Sequence, residues 1–205
     1  DKHRVTQIIP AKLTNRSSII FDQIKDFLQG HHVLDLGCGD GKVGELISNQ
    51  GRQVVLADVY EHGNIKNLGL GFVKINGRGK VPFDNNTFDT VLLVTVLHHS
   101  DNPQIVLEEA KRITKTKGKV LIIESVYGLK KYNQNLSTEQ QRRVNIFFDH
   151  FYNRIIHYSS HMENKVNVPF NFRTPQGWKA IFQKVGLIQK KVFYLGFDQP
   201  TVPEY

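Results

Sequence analysis

Cysteine is nearly absent, with Cys38 alone in 205 residues. That excludes an intramolecular disulfide and any metal site built from several thiolates. Long apolar runs are missing too. The longest, Val91 to Leu97, is interrupted by Thr95 and is far short of the ~20 residues a membrane span needs. The opening residues, DKHRVTQIIPAK, lack the apolar core of a signal peptide. These absences lead to the expectation of a cytoplasmic protein with no membrane span. There is no internal repeat and no low-complexity segment. Acidic residues are outnumbered, 19 against 27 basic ones, and the net charge is +8. Such a balance admits nucleic acid, an anionic surface or an acidic substrate as partner. No long basic run stands out, however. Lys111, Arg112, Lys115, Lys117 and Lys119 gather near one helix end, where cations suit the helix dipole.

What is present is an ordinary globular composition, 40% hydrophobic and 22% charged, long enough for one domain with a full core. Apolar spacing predicts helices over Ser17–Leu28, Lys42–Asn49 and Pro103–Thr114. Between them lie short strands at His32–Leu36, Gln53–Ala57, Gly71–Ile75, Asp89–Val96 and Lys119–Glu124. Strands that are apolar throughout, alternating with helices, read as a doubly wound, mostly parallel α/β sheet with helices on both faces. A ligand should lie at the carboxyl ends of its strands, near the switch point beside the first strand. After Ser125 the pattern changes to a segment rich in Tyr, Phe, Asn and His, with a helix over Thr138–His150 that is open to extension toward Tyr158. Thr174–Val185 reads as a further helix, capped by Thr174, with Pro175 at its first position and Gly186 at its end. Ile188–Leu195 reads as another strand. The expectation is a single domain with a core over about 30–125 and 174–205 and a cap-like helical insertion over about 126–173.

The stretch VLDLGCGDGKVGELI carries the chemistry. Glycines after a strand let the backbone approach a ligand and adopt positive φ. A literal GxGxxG occurs at Gly39, Gly41 and Gly44, which alone is weak support for a dinucleotide. The acids argue against one. Asp35 precedes the turn, Asp40 sits inside it, and both would repel a pyrophosphate. Asp58, with Val59 behind it, ends the second strand, where a carboxylate can accept both ribose hydroxyls. A ligand with a ribose, an amino group and no phosphate fits all three acids.

The chain resembles the class I S-adenosylmethionine-dependent methyltransferases of the methyltransferase-11 type over about residues 30 to 125. VLDLGCGDG resembles the family's first motif, and Asp58 in VVLADVY matches its ribose acid. VPFDNNTFDTVLLVTVLHH resembles the run into strand four, and LEEAKRITKTKGKVLIIE the helix and strand after it. The resemblance implies a Rossmann-like seven-stranded sheet and S-adenosylmethionine as cofactor, with S-adenosylhomocysteine as product. The implied cofactor residues are Asp35, Gly37, Cys38, Gly39, Asp58 and Val59. Where the family usually carries an acid after strand three, this chain has Asn76 and Gly77. Asn76 and the backbone of Gly77 or Arg78 are then the candidates for the adenine ring.

Methyl transfer is an in-line displacement, so holding the acceptor in place supplies much of the rate. His98 and His99 follow strand four; either lines the cofactor, serves as a base, or merely packs. Thr95 either contacts the methionine part or belongs to the core. Arg16, near the start of the first helix, either meets the methionine carboxylate or lies on the surface. In the insertion, His150, His157 and His161 fall on one helical face. No HExxH or paired carboxylate accompanies them, so no metal is expected, and His157 stands as a candidate in an acceptor pocket. The expected activity is methylation of oxygen or nitrogen on a small metabolite. RNA or protein methylation through the basic surface, and a noncatalytic cofactor-binding scaffold, are the alternatives.

Overall fold

The computed structural model describes residues 16–77, 80–129, 135–151 and 168–194. Five strands are present among them: β1 His32–Leu36, β2 Gln53–Asp58, β3 Gly71–Lys74, β4 Phe88–Val94 and β5 Thr114–Ile123. They form one wholly parallel sheet in the order β3-β2-β1-β4-β5. Val33, Leu34 and Leu36 of β1 and Val91, Leu92 and Leu93 of β4 are all buried. These central strands are covered on both faces, which is why they read as unbroken apolar runs rather than as alternation.

Helix α1 is Arg16–Ile24 and continues as a 3-10 turn, Lys25–Phe27. Helix α2, Lys42–Ser48, connects β1 to β2, and helix α3, Pro103–Ile113, connects β4 to β5. From β1 the chain winds outward through β2 to β3, and from β4 it winds the other way to β5. Right-handed crossovers in opposite directions place their helices on opposite faces of the sheet. The switch point therefore falls between β1 and β4. On the α1–α2 face, Ile20, Ile24, Val33, Ile47, Val54, Leu56, Ile65 and Leu92 make one buried cluster, which Cys38 joins.

The start of β5 is irregular. Thr114 pairs with Phe88, whereas Lys119 pairs with Thr90, so the intervening residues bulge out of register. Gly118 permits this, since a Cβ there would sit 2.7 Å from the carbonyl oxygen of Asp89. Two side chains brace this end of the sheet. Asp89 accepts hydrogen bonds from the His31 and His32 amides at 3.1 and 2.9 Å and from Lys115 at 2.8 Å. Arg112 donates to the carbonyls of Phe83 and Val81, to Asn85 Oδ1 and to both oxygens of Glu109, whose Oε2 also accepts from the Val81 amide. In sequence Arg112 is one of several cations near a helix end; in the structure it clamps the segment leading into β4.

Helix α4, Thr138–Phe151, and helix α5, Pro175–Val185, follow. α5 begins and ends as its sequence predicts. Thr174 Oγ1 accepts from the Gly177 amide at 3.1 Å, and Gly186 closes the helix at φ 77°. The expected strand over Ile188–Leu195 is a correction, because residues 188–194 form no strand. Ile188, Val192, Phe193 and Tyr194 are all exposed, without the burial that favours a strand at such residues. The seven-stranded sheet thus reduces to five strands among the described residues. The extension of α4 toward Tyr158 lies outside them, as do Arg78, Arg154, His157 and His161.

Contacts divide the chain into two compact units. One takes the described residues up to Val96 together with Ile105–Ile123, and holds the sheet. The other takes Leu97–Gln104 and the described residues from Glu124 onward.

Candidate functional site

In the sheet unit, β1 closes at Leu36 and the chain turns through Gly37, Cys38 and Gly39. The amides of Gly37 and Cys38 both donate to the Ala57 carbonyl at the end of β2, at 2.7 and 3.2 Å. Gly37 has φ 83°, and a Cβ on it would lie 2.4 Å from a Val96 methyl, so backbone and packing both exclude a side chain. Gly39 differs. Its φ is 55°, but a Cβ there would meet nothing within 4 Å. The turn is packed against the protein at one end and open at the other. Gly44, inside α2, lets that helix press on β2, where a Cβ would lie 2.4 Å from a Leu56 methyl.

Asp58, at the carboxyl end of β2, joins this turn. Its Oδ2 accepts from the Gly39 amide at 2.9 Å and its Oδ1 from the Tyr60 amide at 3.3 Å. Burial raises its pKa, and the Gly39, Tyr60 and Val59 amides act against that. Ile75 follows β3 and donates to the Asp58 carbonyl at 2.9 Å. That places the next residues, Asn76 and Gly77, beside the same strand end. A Cβ on Gly77 would lie 2.8 Å from a methyl of Val59, which is itself exposed.

The acids are not equivalent. Asp35 lies within β1 and is only 2% exposed. Burial first, then the charges of Asp58 and Asp40, push its pKa up to about 7, with the Gly44 amide opposing. Its Oδ2 has no hydrogen-bond partner of good geometry. Asp40 turns toward α2 and accepts from the Lys42 amide at 3.2 Å, capping the helix start. The case against a pyrophosphate therefore rests on Asp58 more than on the other two acids. Cys38 buries its thiol in the core, and burial and the nearby carboxylates raise its pKa, so only its backbone faces the turn.

Thr95 and Arg16 come together, a contact that no spacing in the sequence announces. Arg16 donates to Thr95 Oγ1 at 3.1 Å. Thr95 holds φ 54° although it is β-branched, a rare and strained backbone for such a side chain. Its amide donates to the Ile123 carbonyl at 2.8 Å.

The second unit holds a polar cluster. His98 is buried between carboxylates, with Nδ1 2.6 Å from Glu124 Oε2 and Nε2 3.7 Å from Asp149 Oδ1. Desolvation lowers its pKa, but the Asp149 and Glu124 carboxylates more than offset that, and the result is about 9. Phe172 stacks on its ring at 4.9 Å, and His99 lies 4.1 Å away, ring to ring. Asp149 Oδ1 is also 3.7 Å from His99 Nε2. His98 and His99 are candidates from sequence, and the structure groups them with Asp149, about fifty residues on, a pairing that no local spacing signals. Of the histidines at helical spacing around His150, His157 and His161 lie outside the described residues.

Residues 34–122 match the profile of a family described as "Methyltransferase domain". Over this stretch the chain is similar to the methyltransferase domains of that family. An uncharacterized methyltransferase of Schizosaccharomyces pombe is 34% identical over 137 residues, covering 56% of this chain and 49% of that protein. A ubiquinone/menaquinone biosynthesis C-methyltransferase of Pseudoalteromonas translucida is 32% identical over 110 residues, 47% of this chain and 43% of its own. The chain spans about half the length of these curated relatives. Among solved structures, a methyltransferase of Thermotoga maritima superposes with a TM-score of 0.61 at 16% identity, covering 92% of this chain and 80% of its own. One of Archaeoglobus fulgidus gives 0.54 at 17% identity, covering 83% and 68%. These structural likenesses show the fold.

The family's cofactor is S-adenosylmethionine, and the turn after β1 has a shape that fits it. Gly39 leaves open space where a side chain would stand, and Asp58 presents a carboxylate beside it. Lys42, at the start of α2, lies 4.0 Å from Asp40. No helix among the described residues is long and apolar enough to cross a membrane.

Proposed function

We propose that the chain transfers a methyl group from S-adenosylmethionine to oxygen or nitrogen of a small-molecule acceptor. The observation that carries this reading is the turn after β1, open at Gly39 and joined there to Asp58. In this reading the backbone of Gly37 to Gly39 seats the cofactor, and Asp58 accepts the ribose hydroxyls. Asn76 and Gly77 stand at the adenine, with Val59 as an apolar shelf. Arg16 donates to the methionine carboxylate. The cofactor supplies an already activated methyl group. What the chain adds is position: it holds donor and acceptor in line and excludes water.

A second reading moves the methyl group to carbon, and the Pseudoalteromonas relative, a C-methyltransferase by name, favours it. Calorimetric titration with S-adenosylmethionine, and separately with NAD, tests the shared part. Micromolar binding of the first alone is expected. Binding of NAD instead would sink both readings. Asp58→Ala should weaken cofactor binding by about 1 kcal/mol or more, the scale of hydrogen bonds to a charged group. A labelled-methyl assay with small-molecule extracts, read by mass spectrometry and NMR, then locates the methylated atom.

A further inference from the structure

Methyl transfer requires no metal, yet the second unit gathers a donor set suited to one. The nitrogen and oxygen donors of His98, His99 and Asp149 lie within 4.8 Å of one another. Asp149 Oδ1 is 3.7 Å from the Nε2 atoms of both histidines. That separation exceeds a hydrogen bond. It is the separation of two donors each about 2.1 Å from a shared ion, at an angle of roughly 120°.

The surroundings hold the set in place. Glu124 Oε2 sits 2.6 Å from His98 Nδ1. With the proton on Nδ1, the Nε2 lone pair faces Asp149. A carboxylate behind a ligating imidazole is the usual partner that fixes its tautomer and orientation. Glu124 is itself anchored, since its Oε1 accepts from the Leu97 amide. The turn bearing the histidines is tied on its other side, where Asn171 donates from Nδ2 to the Ser100 carbonyl at 2.7 Å. Asn145, one turn before Asp149 on α4, donates to the Val126 carbonyl at 3.1 Å and fixes the helix. Glu124 and Asp149 both have buried side chains. With both histidines neutral, a divalent cation balances the charge of these two buried carboxylates.

We propose that His98 Nε2, His99 Nε2 and Asp149 Oδ1 bind a divalent transition-metal ion, zinc in the first instance, with Glu124 orienting His98 from behind. Two imidazoles and one carboxylate select zinc or its neighbours over magnesium and calcium, which prefer all-oxygen sets. Three protein donors leave a position for water or for an oxygen ligand.

The test uses the full chain, treated with chelator and desalted, then titrated with zinc by calorimetry alongside elemental analysis. One equivalent should bind with micromolar or tighter affinity, and magnesium should give no heat. His99→Gln and Asp149→Asn should each lose about 100-fold or more, and Glu124→Gln about 10- to 100-fold. His31→Gln, at an exposed histidine pair, should change nothing. Circular dichroism establishes that each variant is folded. Folded wild type that binds no zinc overturns the proposal and leaves His98 as an imidazolium between two carboxylates. Zinc binding that survives both His99→Gln and Asp149→Asn places the ion elsewhere and overturns it equally. Should those variants fail to fold, cobalt-loaded wild type decides through its visible spectrum. Strong four- or five-coordinate bands support the site, and the weak bands of a six-coordinate aquo ion reject it.

Discussion

The turn after β1 and the turn after β4 solve one problem in two ways. Each leaves a central strand and sends its first amide across to the next strand away from the switch point. Gly37 donates to Ala57 of β2, and Thr95 donates to Ile123 of β5. Each needs a positive φ at that residue, 83° at Gly37 and 54° at Thr95. The first turn uses glycine and keeps side chains out of the way. The second accepts strain at a β-branched residue and keeps a hydroxyl, which Arg16 holds. The difference teaches that the first turn is shaped for a ligand to meet backbone, and the second to present side chains.

The largest expected effect comes from erasing the first solution. Gly37→Ala forces a Cβ to within 2.4 Å of Val96 and keeps the unfavourable φ. It should destabilise the chain by about 3 kcal/mol or more, read as a lower midpoint in thermal or urea unfolding. If it were tolerated, the close fit between the two turns would be wrong.

The next effect separates the strands that lead into the turns. Asp35 on β1 stands beside Leu92 on β4 in register. Its pKa rises from 3.8 unfolded to about 7 folded. Its contribution to stability is therefore full below about pH 4 and is lost as pH rises toward 7. Asp35→Asn stays neutral throughout. Its advantage over wild type should grow across that window to a few kcal/mol, at about 1.4 kcal/mol per unit, and stay level above it. Unfolding curves for both proteins at pH 4 and pH 8 check this. Parallel pH profiles would show that the folded protein ionises this carboxyl freely.

Gly39→Ala sharpens the comparison within the first turn. With open space around the Cβ, only the left-handed backbone is penalised, about 1–2 kcal/mol. Cofactor affinity should fall while the protein stays folded. Equal losses of stability for Gly37→Ala and Gly39→Ala would contradict the open end of the turn.

The smallest effect belongs to Thr95. Thr95→Gly relieves the strained φ and loses the bond from Arg16, so unfolding free energy should move by less than about 1 kcal/mol. Thr95→Val keeps the strain and loses the bond, and should cost about 1 kcal/mol.

The glycine turn and the five strands are readable from sequence because their causes are local. Gly37 follows its strand directly, and β4 is apolar on both faces, so period and composition speak for themselves. Even there, Asp35 reads as an acid offered to the ligand, whereas the strand buries it. What escaped reading depends on distant partners. Arg112 looks like any cation at a helix end until Val81, Phe83 and Asn85 fold onto it. Arg16 finds Thr95 across 79 positions. The histidines after β4 acquire their chemistry from Asp149 on a separate helix. The missing strand over 188–194 failed for a related reason. Its β-branched and aromatic residues suit a strand, but such a segment becomes one only with a pairing partner and a buried face.

The irregular start of β5 has a consequence for how copies of this chain behave in a crowded solution. Among the described residues β5 and β3 are the outer strands of the sheet, and an exposed strand edge invites another chain to add to it. Here one edge is only four residues long. The other opens with a bulge that carries Lys115 and Lys117, with Lys119 where regular pairing resumes. Short length, broken register and clustered positive charge each discourage edge-to-edge addition. The basic residues that invite a nucleic-acid reading thus include several whose placement guards against aggregation.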